Sequence, residues 1–306
     1  MRTSNLKSQL PNPPAPLPVV DGVAPSLQTL PAGTWKTVLE FLSERHAPVG
    51  AEAWAERMRG GRVVDEAGRP VTPETPYRAG ARVYYYREPE EERRVPFEEE
   101  VIHLDEHILV ADKPHFLAVA PAGRFLRETL LVRLKRRTGL DALAPVHRID
   151  RETAGLVVFS VNPLTRGAYA SLFQRREVSK VYEALSPSRP ALDFPLTRRS
   201  RIVAGEPFFR MKEAEGEPNS ETRVDVLTEH EEGTLCEARP STGRKHQVRL
   251  HLAALGLPVV NDRLYPELQA GAPDDFNAPL KLLARSLSFR DPLTGRALHF
   301  ESRRKL

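Results

Sequence analysis

The densest set of reactive side chains lies in VHRIDRETAGLVVFS, residues 146–160, where His147, Arg148, Asp150, Arg151 and Glu152 crowd together ahead of an apolar run. A small-residue turn at Ala154-Gly155, followed at once by Leu156, Val157, Val158 and Phe159, predicts a loop mounted on a buried strand. Such a mount is a common way to present a reactive group. Arginines on both sides of Asp150 favour an anionic carboxylate, a potential nucleophile or base. The same cluster also fits a surface ion-pair loop, because charged networks of this kind form without any catalytic role.

A second cluster is ARPSTGRKHQVRLHLAALGLPVVNDRLYP, residues 238–266. Ser241-Thr242-Gly243 reads as a turn that caps a helix, Val248, Leu252 and Leu255 as its apolar stripe, and Gly256 and Pro258 as its stop. Arg244, Lys245, His246 and Gln247 then fall on the first turn, with Arg249 and His251 after them. Cations there oppose the helix dipole, and an anion bound at the helix start would explain them. A helix simply crowded with polar residues is the alternative. The segment lacks the second glycine and the spacing of a Walker A loop. A third element is KVYEAL, residues 180–185, a strand in which Tyr182 points away from Val181 and Glu183 toward the core or a cleft. His103 and His107 lack a motif glutamate and a third ligand, and read as structural.

The elements that must position these groups fall into three stretches. Residues 1–30, with PNPPAPLP at 11–18, show little periodicity and are expected to form a loosely attached tail. Over 31–92, Trp35, Val38, Leu39 and Leu42 recur at helical spacing, residues 51–59 give a second short helix, and RVV, DEAGR and RAGARVYYYRE give a strand–turn–strand unit. A charge-rich linker covers 88–94. From 98 to 306, ILVADKP, GLVVFSV, KVYEAL, TRVDVL and TLCEARP are short strands without regular strand–helix alternation. That pattern predicts an α+β domain on a mixed, mainly antiparallel sheet rather than a doubly wound one.

Composition narrows the classes. Of the 306 residues 40% are hydrophobic, enough for a sizeable core, and no apolar run approaches the ~20 residues of a membrane span. The start, MRTSNLKSQL, carries no apolar leader. The lone Cys236 precludes an intrachain disulfide, argues against a structural zinc site and fits a reducing cytoplasm. Net charge is +4, and residues 163–212 hold ten Lys+Arg against four Asp+Glu, which suits either a polyanionic partner or a solvated face.

Taken together and in order, the three clusters resemble one family. HRIDRETAGL resembles the H-R-L-D-x-x-T-S-G-L signature of RluA-type pseudouridine synthases. KVYEAL is similar to that family's K-x-Y-x-A-L motif, and PSTGRKHQVRLHLAALGLPVVNDRLY to its G-R-T-H-Q-I-R block. ILVADKP, FRMKEAEGEPNSET and LLARSLSFRDPLTG match the flanking segments, so the resemblance runs from about residue 98 to the C-terminus. It implies an enzyme that isomerises specific uridines of rRNA or tRNA to pseudouridine, a cytoplasmic monomer that needs no cofactor or metal. By the resemblance Asp150 is the catalytic carboxylate, Tyr182 stacks on the target base, and Arg244 pairs with the aspartate. Arg148 holds the base's place in the helix, while His147, Arg151, Thr153, Lys180, His246, Gln247 and Arg249 contact the substrate. Ala154, Leu283 and Ala120 depart from the family's usual serine and histidines. Residues 31–92 resemble the RNA-binding module of ribosomal protein S-four, although nine Lys+Arg face eleven Asp+Glu there.

The chemistry so implied breaks the glycosidic bond, turns the base and rejoins it through carbon five. One carboxylate suffices, by attack on the anomeric carbon or by removing a proton from the neighbouring sugar carbon. Two rival readings stand beside it. One is an RNA-binding protein without activity, which has no need of Asp150, Tyr182 and Arg244 together. The other is a small-molecule glycosidase, for which Glu152 is the only near second carboxylate.

Overall fold

The computed structural model describes residues 15–87, 92–189, 192–230, 233–269 and 273–306. The chain divides into two compact units, residues 1–90 and 91–306. In the first, strand β1 (Ser26–Thr29) precedes helices α1 (Val38–Arg45) and α2 (Ala51–Arg59), and strands β2 (Val63–Asp65) and β3 (Arg82–Tyr85) follow. The three strands form an antiparallel sheet in the order β1-β3-β2. Thr37 caps α1 by accepting the Glu40 N–H at 3.2 Å, and Phe41, Leu42, Trp54, Met58 and Val83 close the core.

Residues 1–14 of the expected tail, and 88–91 of the expected linker, lie outside the described residues. The rest of the tail differs from expectation: Ser26–Thr29 pair in full register with β3, and Leu30 is buried in the unit's core. Its half-buried positions, Ser26 and Gln28, are polar and Leu27 is exposed, so no apolar alternation marks the strand in its proline-rich surroundings.

The second unit carries the chemistry-bearing segments on one eleven-stranded sheet. Its elements in order are β4 (Glu100–Leu104), β5 (Ile108–Lys113), α3 (Leu130–Thr138), β6 (Ala144–Pro145), β7 (Ala154–Ser160), α4 (Arg166–Gln174) and β8 (Ser179–Ser186). There follow β9 (Leu196–Ala204), β10 (Met211–Ala214), β11 (Ser220–His230), β12 (Gly233–Pro240), α5 (Gln247–Ala254), β13 (Leu282–Arg290) and β14 (Ala297–Glu301). The order is β10-β9-β11-β12-β8-β13-β7-β5-β4, with β14 on β13 and β6 on β7. Among these strands only β13 and β7 run parallel, so the fold is α+β on a mainly antiparallel sheet.

Strands β5 and β7 are buried along their whole length because they are covered on both faces. Leu109, Ala111, Val157 and Phe159 pack with Leu130 and Leu134 of α3. Their alternate neighbours Ile108, Val110, Leu156 and Val158 pack with Tyr169 and Leu172 of α4. The two-residue period of a strand thus delivers each side chain to one helix or the other, each fully buried apolar one contributing about 1.5–3 kcal/mol.

Where β7 meets β13, Gly155 replaces the turn expected at Ala154-Gly155. Its φ is +111°, and a Cβ there would lie 2.3 Å from the Ala284 carbonyl oxygen and 2.7 Å from its nitrogen. The residue is a glycine because another backbone occupies that space, not because the chain turns. Gly155→Ala should therefore lower the unfolding free energy by about 2–4 kcal/mol, combining backbone strain with overpacking. Gly167→Ala, on α4 with no atom within 4 Å of an added Cβ, should be neutral or stabilising. Urea denaturation of both variants checks the contrast, and equal small effects would mean that the two strands can part without cost.

Candidate active site

A cleft of about 940 Å³ opens in the second unit, lined by the 147–153 loop, the start of β8, residues 241–246 and the first turn of α5. Asp150 lies in it on the loop between β6 and β7. Two backbone clamps hold that loop: the Thr153 N–H donates to the Asp150 carbonyl at 3.2 Å, and the buried Lys113 ammonium donates to the Arg151 carbonyl at 3.0 Å. Lys113 spends its other donors on the carbonyls of Pro114 (2.9 Å) and Leu117 (2.8 Å). Burial lowers its pKa to about 7, against the pull of Glu152 and Asp150.

The arginine that meets Asp150 is Arg249, not Arg244. Arg249 Nη1 donates to Asp150 Oδ2 at 3.3 Å, while Nε and Nη2 grip both oxygens of Asp262 at 2.7 and 2.6 Å. Its side chain is 2% exposed. Arg244 is exposed and donates Nε to the Asn219 carbonyl at 3.1 Å. The expectation failed because α5 begins at Gln247, not at Arg244; His246 precedes it in a left-handed conformation with φ 57°. Arg244 and Lys245 therefore sit on the loop ahead of the helix. Arg249 falls on its buried side, one turn before Leu252. An arginine in phase with the apolar stripe was the signal that could have found it.

The other expected residues separate by how their polar atoms are used. Tyr182 on β8 lines the cleft, and burial together with the Asp150 charge raises its hydroxyl pKa well above the usual tyrosine range. Lys180, two residues back on the same strand face, donates to the Thr242 carbonyl at 2.8 Å, and burial with Arg176 nearby lowers its pKa to about 8. Arg148 is exposed at the rim. His246 Nε2 stands 3.9 Å from Asp150 Oδ1, too long for a hydrogen bond, and its Nδ1 is 2.9 Å from the Tyr265 hydroxyl.

Besides Lys180 and Arg249, three of the expected substrate contacts are engaged within the protein and a fourth is buried. His147 Nε2 accepts the Val158 N–H at 3.0 Å and stacks on Phe173 at 4.4 Å, and burial pushes its pKa down to about 3. The neutral imidazole thus substitutes for a neighbouring strand beside β7. Arg151 holds Asp274 bidentately at 2.9 and 2.6 Å and also donates to Glu152 and the Phe116 carbonyl. Thr153 is buried. Gln247 accepts from the Thr242 hydroxyl and the Arg244 N–H and donates to the Glu221 carbonyl and the Thr222 hydroxyl, fixing the turn ahead of α5. Outside the cleft lining, His103 pairs with Asp105 at 2.8 Å and His107 with Glu106 at 3.1 Å. Asp262, Tyr265 and Asp274 had no assigned role from sequence, although NDRLYP lay inside the quoted block.

The second unit is a mixed-sheet α+β domain with a carboxylate, an arginine and a tyrosine on one cationic cleft, and comparison with known proteins places the chain in a class of RNA-modifying isomerases. The family profile of RNA pseudouridylate synthase matches residues 107–254. An uncharacterized RNA pseudouridine synthase of Synechocystis is 32% identical over 235 residues, covering 74% of this chain and 79% of that one. The dual-specificity RNA pseudouridine synthase RluA of Pasteurella multocida is 30% identical over 218 residues, covering 66% and 92%. The solved human RNA pseudouridylate synthase domain containing 1 shares the fold, with a TM-score of 0.56 at 23% identity over 70% of this chain and 86% of that one. The chain belongs to the RluA-type RNA pseudouridine synthases, isomerases whose substrate is RNA.

Two measurements check the site's construction. Arg249→Met strands the buried Asp262 and should cost about 3–5 kcal/mol in urea unfolding, whereas Arg244→Met should cost less than about 1 kcal/mol. Equal losses would undo the assignment of Arg249 as the buried partner. His251 on α5 is enclosed by the hydroxyls of Ser200 (2.9 Å), Ser220 (3.1 Å) and Thr222 (2.8 Å), and burial lowers its pKa to about 4 against the pull of Glu213. Between about pH 4 and 6.5 the unfolded chain binds a proton here that the folded chain does not. This contribution is therefore complete above pH ~6.5 and lost as pH falls, by about 1.4 kcal/mol per unit. His251→Gln should flatten the stability–pH curve across that window, and an unchanged slope would show that His251 titrates normally.

Proposed function

We propose that Asp150 is the carboxylate with which this enzyme isomerises uridines of rRNA or tRNA to pseudouridine. The observation that carries the reading is the Arg249 contact: a buried guanidinium, neutralised by Asp262, turns its remaining N–H toward a carboxylate that faces a cleft. Carbon five of the turned base gives up its proton and base nitrogen N1 takes one up, while both the bond that breaks, to N1, and the bond that forms, to carbon five, are at the anomeric carbon of the sugar. Asp150 acts there by attack on the anomeric carbon or by taking the proton of the adjacent carbon, both from the same position.

Tyr182 presents a ring for the base. Its raised pKa keeps the hydroxyl protonated at neutral pH, so it serves as a stacking surface and hydrogen-bond donor rather than a base. The target uridine must leave its stack, at a cost of a few kcal/mol, and on this reading Arg148, exposed on the cleft, fills the vacancy. Arg176, Lys180, Arg244 and Lys245 along the cleft meet phosphates and position the strand without reading sequence. On this reading the enzyme works as a cytoplasmic monomer without cofactor or metal. Residues 31–92 serve as an accessory module like that of ribosomal protein S-four, tuning RNA binding without supplying chemistry.

Asp150→Asn is nearly isosteric and removes the reactive charge. Tritium release from carbon five of labelled uridine in total RNA should fall to background, while RNA affinity stays within roughly tenfold because phosphate contacts dominate it. Substantial release by this variant would remove Asp150 from the mechanism. Joint collapse of binding and release would make it a structural ion-pair residue.

A further inference from the structure

The hairpin that joins β9 to β10 ends in two aromatic rings, Phe208 and Phe209, which are 88% and 39% exposed. Their centroids lie 5.5 Å apart at an interplanar angle of 80°. Hairpin tips ordinarily carry glycine, asparagine, aspartate or proline, and an exposed phenylalanine forgoes the free energy of burial. Packing within the fold therefore does not account for the pair. We propose that Phe208 and Phe209 form a stacking platform for an unpaired nucleobase of the substrate RNA beside the target uridine, a role that rests on reading the Asp150 cleft as the uridine site.

Three observations carry this. Phe209 lines the same cleft as Asp150 and Tyr182, so a base on the platform would be a neighbour of the one in the cleft. The tip is held in register with the catalytic carboxylate. Gly205 N–H to Arg210 O at 3.0 Å and Arg210 N–H to Pro207 O at 2.8 Å close the turn. The Tyr265 hydroxyl accepts from Met211 N–H at 2.8 Å and donates to Met211 O at 3.2 Å, and it also lies 2.9 Å from His246, whose other nitrogen faces Asp150. Arg210 lies over the Tyr265 ring at 5.2 Å and donates to the Pro266 carbonyl at 3.0 Å. Finally, the rings stand in the run Glu206-Pro207-Phe208-Phe209-Arg210-Met211-Lys212, which brings two cations, Arg210 and Lys212, within four residues of them. Isolated aromatics beside a cationic cleft match single-stranded RNA, whose bases offer π-faces and whose backbone is anionic.

The test is RNA binding and tritium release with 5-tritiated total RNA, using Phe208→Ala and Phe208→Trp in the full chain. Phe208 is too exposed for either change to threaten folding. Phe208→Ala should raise the apparent KM and the filter-binding Kd on the order of tenfold, the loss of one stacked base, and Phe208→Trp should restore both. The slope of log Kd against log salt should match the wild type, since no phosphate contact is removed. Wild-type affinity in the alanine variant overturns the proposal, as does a tryptophan variant no better than alanine or a reduced salt slope. Loss of a dimer in sedimentation at unchanged RNA affinity would assign the rings to contact between copies instead, and would overturn it equally. Should the wild type release no tritium, the catalytic reading fails, while filter binding still decides the platform.

Discussion

A guanidinium buried to 2% exposure loses several kcal/mol of hydration unless nearby charge and hydrogen bonds replace it, and at Arg249 they come from two carboxylates. Asp262, 1% exposed, supplies both oxygens to two donors. Asp150, 23% exposed, receives one longer contact. The unequal sharing is what gives the site its character. Asp262 balances the buried charge, so Asp150 is oriented without being enclosed and remains open to a ligand. Arg249 also joins α5, the 262–265 turn and the catalytic loop, because none of the three can move away without exposing an unpaired charge.

Around that pair the sheet provides the mount. Strand β7 is fixed by β5 on one side and by β13 at Gly155 on the other, and past the point where β13 diverges by β6 and the neutral His147 ring. Lys113, beyond the end of the β5 hydrophobic run, ties the loop by the Arg151 carbonyl, and the Arg151 side chain ties it to Asp274. Each of these groups has its polar atoms committed inside the protein, and together they hold the loop that carries Asp150.

The cations divide on the same principle. In the basic 163–212 stretch, Arg198 pairs with Glu213, Arg199 with Glu221 at 2.6 Å, and Arg201 donates to the Glu215 carbonyl at 3.1 Å. Two of the ten cations are therefore answered by acids brought in from β10 and β11, and a tally along the chain overstates what reaches an RNA phosphate. The cations that line the cleft, from Arg148 through Lys245, come from four separate segments.

The sequence by itself determined which segments carry chemistry, and that the catalytic unit is α+β, because motif order, strand alternation and the apolar stripe of α5 are local properties. It also determined the residue types of the site. Only the tertiary structure decided which residue of each type does what. GRKHQVR offers two arginines, and a shift of α5's start by one turn exchanges the exposed one for the buried one. Gly155 illustrates the same limit: a glycine beside a charged loop suggests a turn, whereas the constraint is the backbone of Ala284, far away in sequence. Partnership and close approach depend on what arrives from elsewhere in the chain, and residue spacing holds no record of it.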